Sequence, residues 1–216
     1  DELLVDIRSI SRENGMLSII IDTYLVEAIG YFKSFKSWFN DQFGYFVALS
    51  GDGNTLAVSA PGERSNSTGI NGAGPDSESV AYDSGAVYVF TRREGTWIEQ
   101  AYIKASNSEN GDRFGNSIAL SGDGSTLVVG ANSEDSDATG INGDQTNNNA
   151  FSSGAAYIFN RIEHIWAQEA YVKASNTKNI SSFGSSVSLS SNGLTLVVGA
   201  YLEDINATGV NEDETY

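Results

Sequence analysis

The stretch FGYFVALSGDGNTLAVSAP, from Phe43 to Pro61, decides the fold. It returns as FGNSIALSGDGSTLVVGAN from Phe114 and as FGSSVSLSSNGLTLVVGAY from Phe183, in steps of 71 and 69 residues. Self-similarity at a fixed period of this size sets the architecture before any local reading. A motif present in every copy builds the copy, so chemistry is sought where the copies differ.

Each unit reads as four short strands. Val47–Ser50 and Thr55–Ala60 are β-type runs separated by Gly51-Asp52-Gly53-Asn54, a hairpin signal because Asp and Gly tolerate positive φ. A polar stretch over 62–84 follows, then GAVYVFTR from Gly85, a turn at Glu94-Gly95, and WIEQAYIKAS from Trp97. The second unit repeats this with GAAYIFNR from Gly154, a turn near Glu163-His164, and WAQEAYVKAS from Trp166. The strands are apolar on both faces, with Val87 and Val89 on one and Tyr88 and Phe90 on the other. A sheet covered on both sides is sandwiched between similar sheets, which radial stacking achieves. The reading is therefore all-β, with four-stranded antiparallel β-propeller blades and almost no helix. A linear β-solenoid fits less well, since its coils are shorter than this period.

Both ends cut a blade. Residues 43–113 and 114–182 are whole blades, and 183–216 holds strands one and two of a half-blade. Residues 1–42 hold a degenerate half-blade and a connection, with NGMLSIII from Asn14 as strand three and EAIGYFKS from Glu27 as strand four. Three blades fall below the usual minimum of four. Neighbouring blades then come from a longer chain, which the ending inside a loop favours, or from another copy closing a ring.

Phe-Gly, the Gly-Asp turn, the Gly-Ala end, Gly-Ala-x-Tyr-x-Phe and a Trp followed by Ile/Val-Lys-Ala-Ser recur in order from Phe43 to Tyr216. In this the chain resembles the FG-GAP repeats of integrin α-like propellers, in the variant common in bacterial surface proteins. The resemblance implies a propeller used for adhesion or extracellular recognition, often calcium-supported. The chain departs from the family at the turn between strands one and two. There Ser-Gly-Asp-Gly, or Ser-Ser-Asn-Gly in the last unit, replaces the acidic calcium loop and offers too few oxygens for the six to eight ligands of Ca²⁺.

Charge bounds the partners. Twenty-eight acidic residues against twelve basic ones give a net −16, which argues against nucleic acid and anionic membrane. No apolar stretch approaches a membrane span, which excludes insertion by a helix. There is no cysteine, hence neither disulfide nor thiolate metal site, and no signal peptide is visible. An extracellular or cell-surface location is inferred from the resemblance.

In an up-and-down meander the two–three and four–one connections share one rim. Segments 61–84, 105–113, 132–153, 174–182 and 201–216 hold 15 of the 28 acidic and 3 of the 12 basic residues. Loops of this length are usually functional, so the acidic rim is the expected binding face, for a protein or glycan ligand. The opposite rim carries tight turns with little room for a site.

The long loops share a second pattern: Arg64-Ser-Asn66-Ser-Thr68-Gly-Ile-Asn71, Asp135-Ser-Asp137-Ala-Thr139-Gly-Ile-Asn142 and Asp204-Ile-Asn206-Ala-Thr208-Gly-Val-Asn211. Oxygen-bearing side chains at alternate positions before a Gly suit a hard cation. Candidate Ca²⁺ ligands are Asp135, Asp137, Thr139 and Asp144, then Asp204, Asn206 and Asp213; Arg64 would repel a cation from the first copy. The competing reading is a structural turn whose Ile or Val pins the loop.

Nothing points to an enzyme. One His and no Cys exclude the usual nucleophile–base sets, and His164 reads as a surface turn residue. Glu134 and Asp135 form a carboxylate pair indistinguishable in sequence from a solvated acidic loop. Trp97 and Trp166 read as packing residues of the outer strand. Asn66, Asn179 and Asn206 match the glycan acceptor pattern, which matters only in a eukaryotic secretory route. Two alternatives to a recognition module remain: a scaffold segment of a larger surface protein, and part of a polysaccharide-active enzyme.

Overall fold

The computed structural model describes residues 7–13, 16–21, 32–34, 39–72 and 80–203. It is all-β, with no helix among the described residues. The first whole blade is a sheet in the order β3 (Val47–Leu49), β4 (Thr55–Ala60), β5 (Ala86–Arg93) and β6 (Thr96–Ile103). The second repeats the order with β7 (Ser117–Leu120), β8 (Thr126–Ala131), β9 (Ala155–Ile162) and β10 (Ile165–Val172). β11 (Phe183–Leu189) and β12 (Leu196–Ala200) pair as strands one and two of a further blade. All pairings within these sheets are antiparallel. The sheets do not close into a ring.

The amino-terminal hairpin differs from the sequence reading. β2 (Met16–Ile21) falls where strand three was expected, but its partner is the upstream β1 (Ile7–Glu13). The reason lies in Asn14-Gly15, a strong hairpin-turn dipeptide. Of the segment read as strand four, Phe32–Ser34 is not strand, and 27–31 lie outside the described residues.

The recurrent motifs are where neighbouring blades touch. Gly85 bridges Phe114 in parallel, and Gly154 bridges Phe183 in the same way. A Cβ on Gly85 would meet the Phe114 carbonyl oxygen at 2.0 Å, and its φ of +82° is one that L side chains rarely adopt. Gly115, at φ +92°, is closed off by the Ala86 carbonyl at 2.9 Å. Phe-Gly and Gly-Ala are thus two halves of one interblade contact. Phe114 is fully buried, edge-on to Tyr157 at 5.3 Å.

Alternation along the strands splits the apolar residues as expected. Val87 and Val89 join the core between the two whole blades, with Phe114, Leu127, Tyr157 and Trp166. Tyr88 and Phe90 join a second core on the other face of the sheet, covered by Phe32, Phe43 and Trp97. Trp97 packs 5.5 Å from Phe32, and Trp166 is buried, so both tryptophans pack rather than stand free.

Candidate functional site

On the long-loop rim the Thr-Gly-Ile-Asn motif is a clasp on the outer strand. Gly69 and Asn71 take positive φ, of 71° and 54°, which turns the loop back onto β6. There Asn71 N–H donates to the Tyr102 carbonyl at 2.7 Å, and Asn71 Oδ1 accepts from Tyr102 N–H at 2.9 Å. Lys104 N–H donates to the Gly69 carbonyl at 2.8 Å. The second copy repeats every bond with Gly140, Asn142, Tyr171 and Lys173. An outer strand leaves unpaired backbone groups, and the clasp satisfies them. Ile70 packs on the core, whereas Ile141 is 70 % exposed. The difference lies in the next blade: Ile70 shares a cleft with Ile165 and Trp166.

The candidate cation ligands fall around the second clasp. Asp135 Oδ1 accepts from Ser152 N–H at 2.6 Å, and Asp137 Oδ2 accepts from Asn149 Nδ2 at 3.1 Å. Asp144 Oδ1 accepts from the N–H and hydroxyl of Thr146, which hold its carboxyl below the usual carboxylate range. Asp137, Thr139 and Asp144 are exposed, while Asp135 is half-buried. Among the described residues no three His, Cys, Asp or Glu side chains are gathered to hold a metal ion. Asp204, Asn206 and Asp213 lie outside the described residues.

Glu134 is not part of a solvated loop. It is buried, 2.7 Å from Lys173 Nζ, and also accepts from the Tyr171 hydroxyl at 2.8 Å and Asn107 Nδ2 at 2.9 Å. Lys173 in turn donates to Ser153 Oγ at 2.6 Å. In the first blade Lys104 meets Glu63 at 2.7 Å and donates to Ser84 Oγ. Each pair ties the start of a long loop to the end of strand four. Its recurrence on both blades marks it as framework. Asp112 is buried too, accepting from Glu109 N–H at 2.8 Å. Burial, then the charges of Glu134, Glu109 and Asp135, push its pKa up to about 8.

The opposite rim holds what the sequence reading missed. The β3–β4 and β7–β8 turns are tied by Gly51 N–H to the Gly122 carbonyl at 2.8 Å. Beside them opens a cleft of about 410 Å³ between the two whole blades, lined by Thr91, Arg92, Arg93 and Arg161 together with Asp52, Asn54, Thr55, Ser125, Glu163 and His164. Arg161 lies over Trp166, 5.4 Å from the ring centroid. Its Nη1 donates to Gln100 Oε1 at 3.0 Å and its Nη2 to Thr55 Oγ1 at 3.2 Å. Gln100 reaches across the blades because it is the extra residue of a β-bulge in β6, between Glu99 and Ala101. The sequence signal was present in Arg92, Arg93 and Arg161 at equivalent strand ends, but tight turns concealed the space between blades.

The FG-GAP repeat family matches residues 97–159 and 166–216, just over half of the chain. Each matched segment begins on the outer strand of one blade and continues into the next. Each carries the Phe-Gly half of an interblade contact, Phe114-Gly115 in the first and Phe183-Gly184 in the second. No curated protein matches the chain.

Proposed function

Because the chain belongs to the FG-GAP repeat family, we propose that it is a non-enzymatic recognition or adhesion module acting outside the cell or at its surface. The acidic long-loop rim is its binding face. The observation that carries this reading is how the structure divides the loop carboxylates. Glu63, Asp112 and Glu134 are buried in the framework, while Asp83, Glu109, Asp137 and Asp144 stand exposed. Exposed acids on long loops, held at their base by buried ion pairs, suit a protein partner with a basic surface. In this reading calcium supports the rim weakly, through Asp135, Asp137, Thr139 and Asp144, and competes with their present hydrogen-bond partners.

The test pairs capture from cell-surface extracts with a glycan array. Retention of a basic protein, released by salt, supports the reading. Retention of nothing on either arm leaves a scaffold segment, and turnover of an acidic polysaccharide would overturn the non-enzymatic assignment.

A further inference from the structure

The cleft on the tight-turn rim stands against the charge of the chain. In a protein of net −16, three of its twelve Lys and Arg residues line this one cleft. Arg92 and Arg93 form no ion pair with a described residue. Arg161 is fixed by Gln100, Thr55 and Trp166, and those contacts use two of its five N–H donors. Trp166 Nε1 donates to the same Gln100 oxygen at 2.9 Å, so the guanidinium is held from two sides. A pre-positioned guanidinium with donors to spare is a ready receptor for a carboxylate.

Thr91 supplies an independent sign. It lines the cleft, is 6 % exposed, and its hydroxyl oxygen has no hydrogen-bond partner. Buried polar atoms are rarely left unpaired, so an orphan beside a cleft points to a missing ligand. The second blade removes this feature. There Asn160 stands at the matching position and bonds Thr126 Oγ1 at 3.0 Å. The orphan therefore belongs to this cleft and not to the repeat.

The lining also limits the ligand's charge. Arg161 feels the carboxylates of Asp123 and Asp52, and Glu163 lines the cleft, so the three guanidiniums are largely balanced by nearby acids. A dianion such as a phosphate monoester is poorly matched there, and a single carboxylate that takes the spare N–H donors is better matched. The remaining lining groups, Asn54, Thr55, Ser125 and the carboxylates of Asp52 and Glu163, offer donors and acceptors for hydroxyls. We propose that this cleft binds the carboxylate-bearing sugar of an acidic glycan, a uronate, with Arg161 and Arg93 on the carboxylate and Thr91 completing its hydrogen bonds. The site lies on the rim opposite the long loops and is separate from the binding face proposed above.

The test is calorimetric titration of the full chain with tetragalacturonate, alongside neutral maltotetraose, inorganic phosphate and acetate. Arg93→Gln and Thr91→Val are the main variants, since Arg93 is exposed and the Thr91 hydroxyl supports no other group. The expected result is salt-sensitive binding of tetragalacturonate only, weakened roughly tenfold by each substitution. Thr91→Val should leave the melting temperature unchanged or higher, which separates lost binding from lost folding. Substitutions on the long loops should leave this binding intact. No binding of tetragalacturonate, equal binding of maltotetraose, tighter binding of phosphate, or wild-type affinity in both variants would each overturn the proposal.

Discussion

Lys104 Nζ lies 2.7 Å from a carboxylate oxygen of Glu63, 41 residues upstream, and neither side chain is exposed. Lys173 and Glu134 repeat the relationship in the next blade. Burying two charges is costly even when paired, so removing one partner exposes the full cost of the other. Glu134→Ala should destabilise by about 3–5 kcal/mol, whereas Glu134→Leu combined with Lys173→Met should cost much less. Urea denaturation of the single and double variants measures both. Equal losses would mean that the pair contributes more than its desolvation cost.

Asp112 gives the fold a pH dependence of definite sign. Its folded-state pKa, pushed up to about 8, lies above the ordinary carboxyl value near 3.8. Between those values the folded chain holds a proton that the unfolded chain has lost. Stability from this residue is therefore full at acid pH and falls as pH rises toward 8, by up to about 1.4 kcal/mol per pH unit. Asp112→Asn should flatten that slope and raise stability at pH 8 relative to wild type. Thermal melts from pH 5 to 9 provide the measurement.

The clasp on the outer strand depends on Asn142 both for its φ of +54° and for its side-chain acceptor. Asn142→Ala loses the bond to Tyr171 N–H and strains the turn, at a cost of about 1–3 kcal/mol. Asn142→Gly relieves the strain alone and should cost less. Amide exchange at Tyr171 should quicken in both variants. Unchanged exchange there would show that the strand edge does not need the clasp.

Much of this was legible in the sequence, and the exceptions share a cause. The strands of both whole blades, their turns and the facing of Val87 against Tyr88 follow from alternation and Gly-Asp turns, which are local. Glu134 looked like a loop acid because its partner Lys173 is 39 residues away, and only folding brings them together. The cleft was hidden for the same reason, since Arg161 meets Gln100 across 61 residues through a bulge that no pattern announces. The Thr-Gly-Ile-Asn motif was legible as a turn. What it grips, the backbone of Tyr102 and Tyr171, was not.

A calcium titration tests the role proposed for the second long loop beside its clasp. Asp137 and Asp144 must give up Asn149 and Thr146 to reach a cation, so affinity should fall near that of extracellular modules, roughly 10⁻⁴ to 10⁻³ M. The melting temperature should then rise slightly in millimolar calcium relative to chelator. Asp137→Ala with Asp144→Ala should abolish the rise. No rise in wild type would leave the loop with its clasping role alone.

The central claim is that the exposed carboxylates of the long-loop rim recognise a partner. The most direct measurement compares proteins retained from cell-surface extracts by the wild type and by Asp137→Asn/Asp144→Asn, identified by mass spectrometry across a salt series. The account predicts a basic protein held by the wild type at low salt, released as salt rises, and lost in the variant. Retention of the same proteins by both, undiminished by salt, would contradict it.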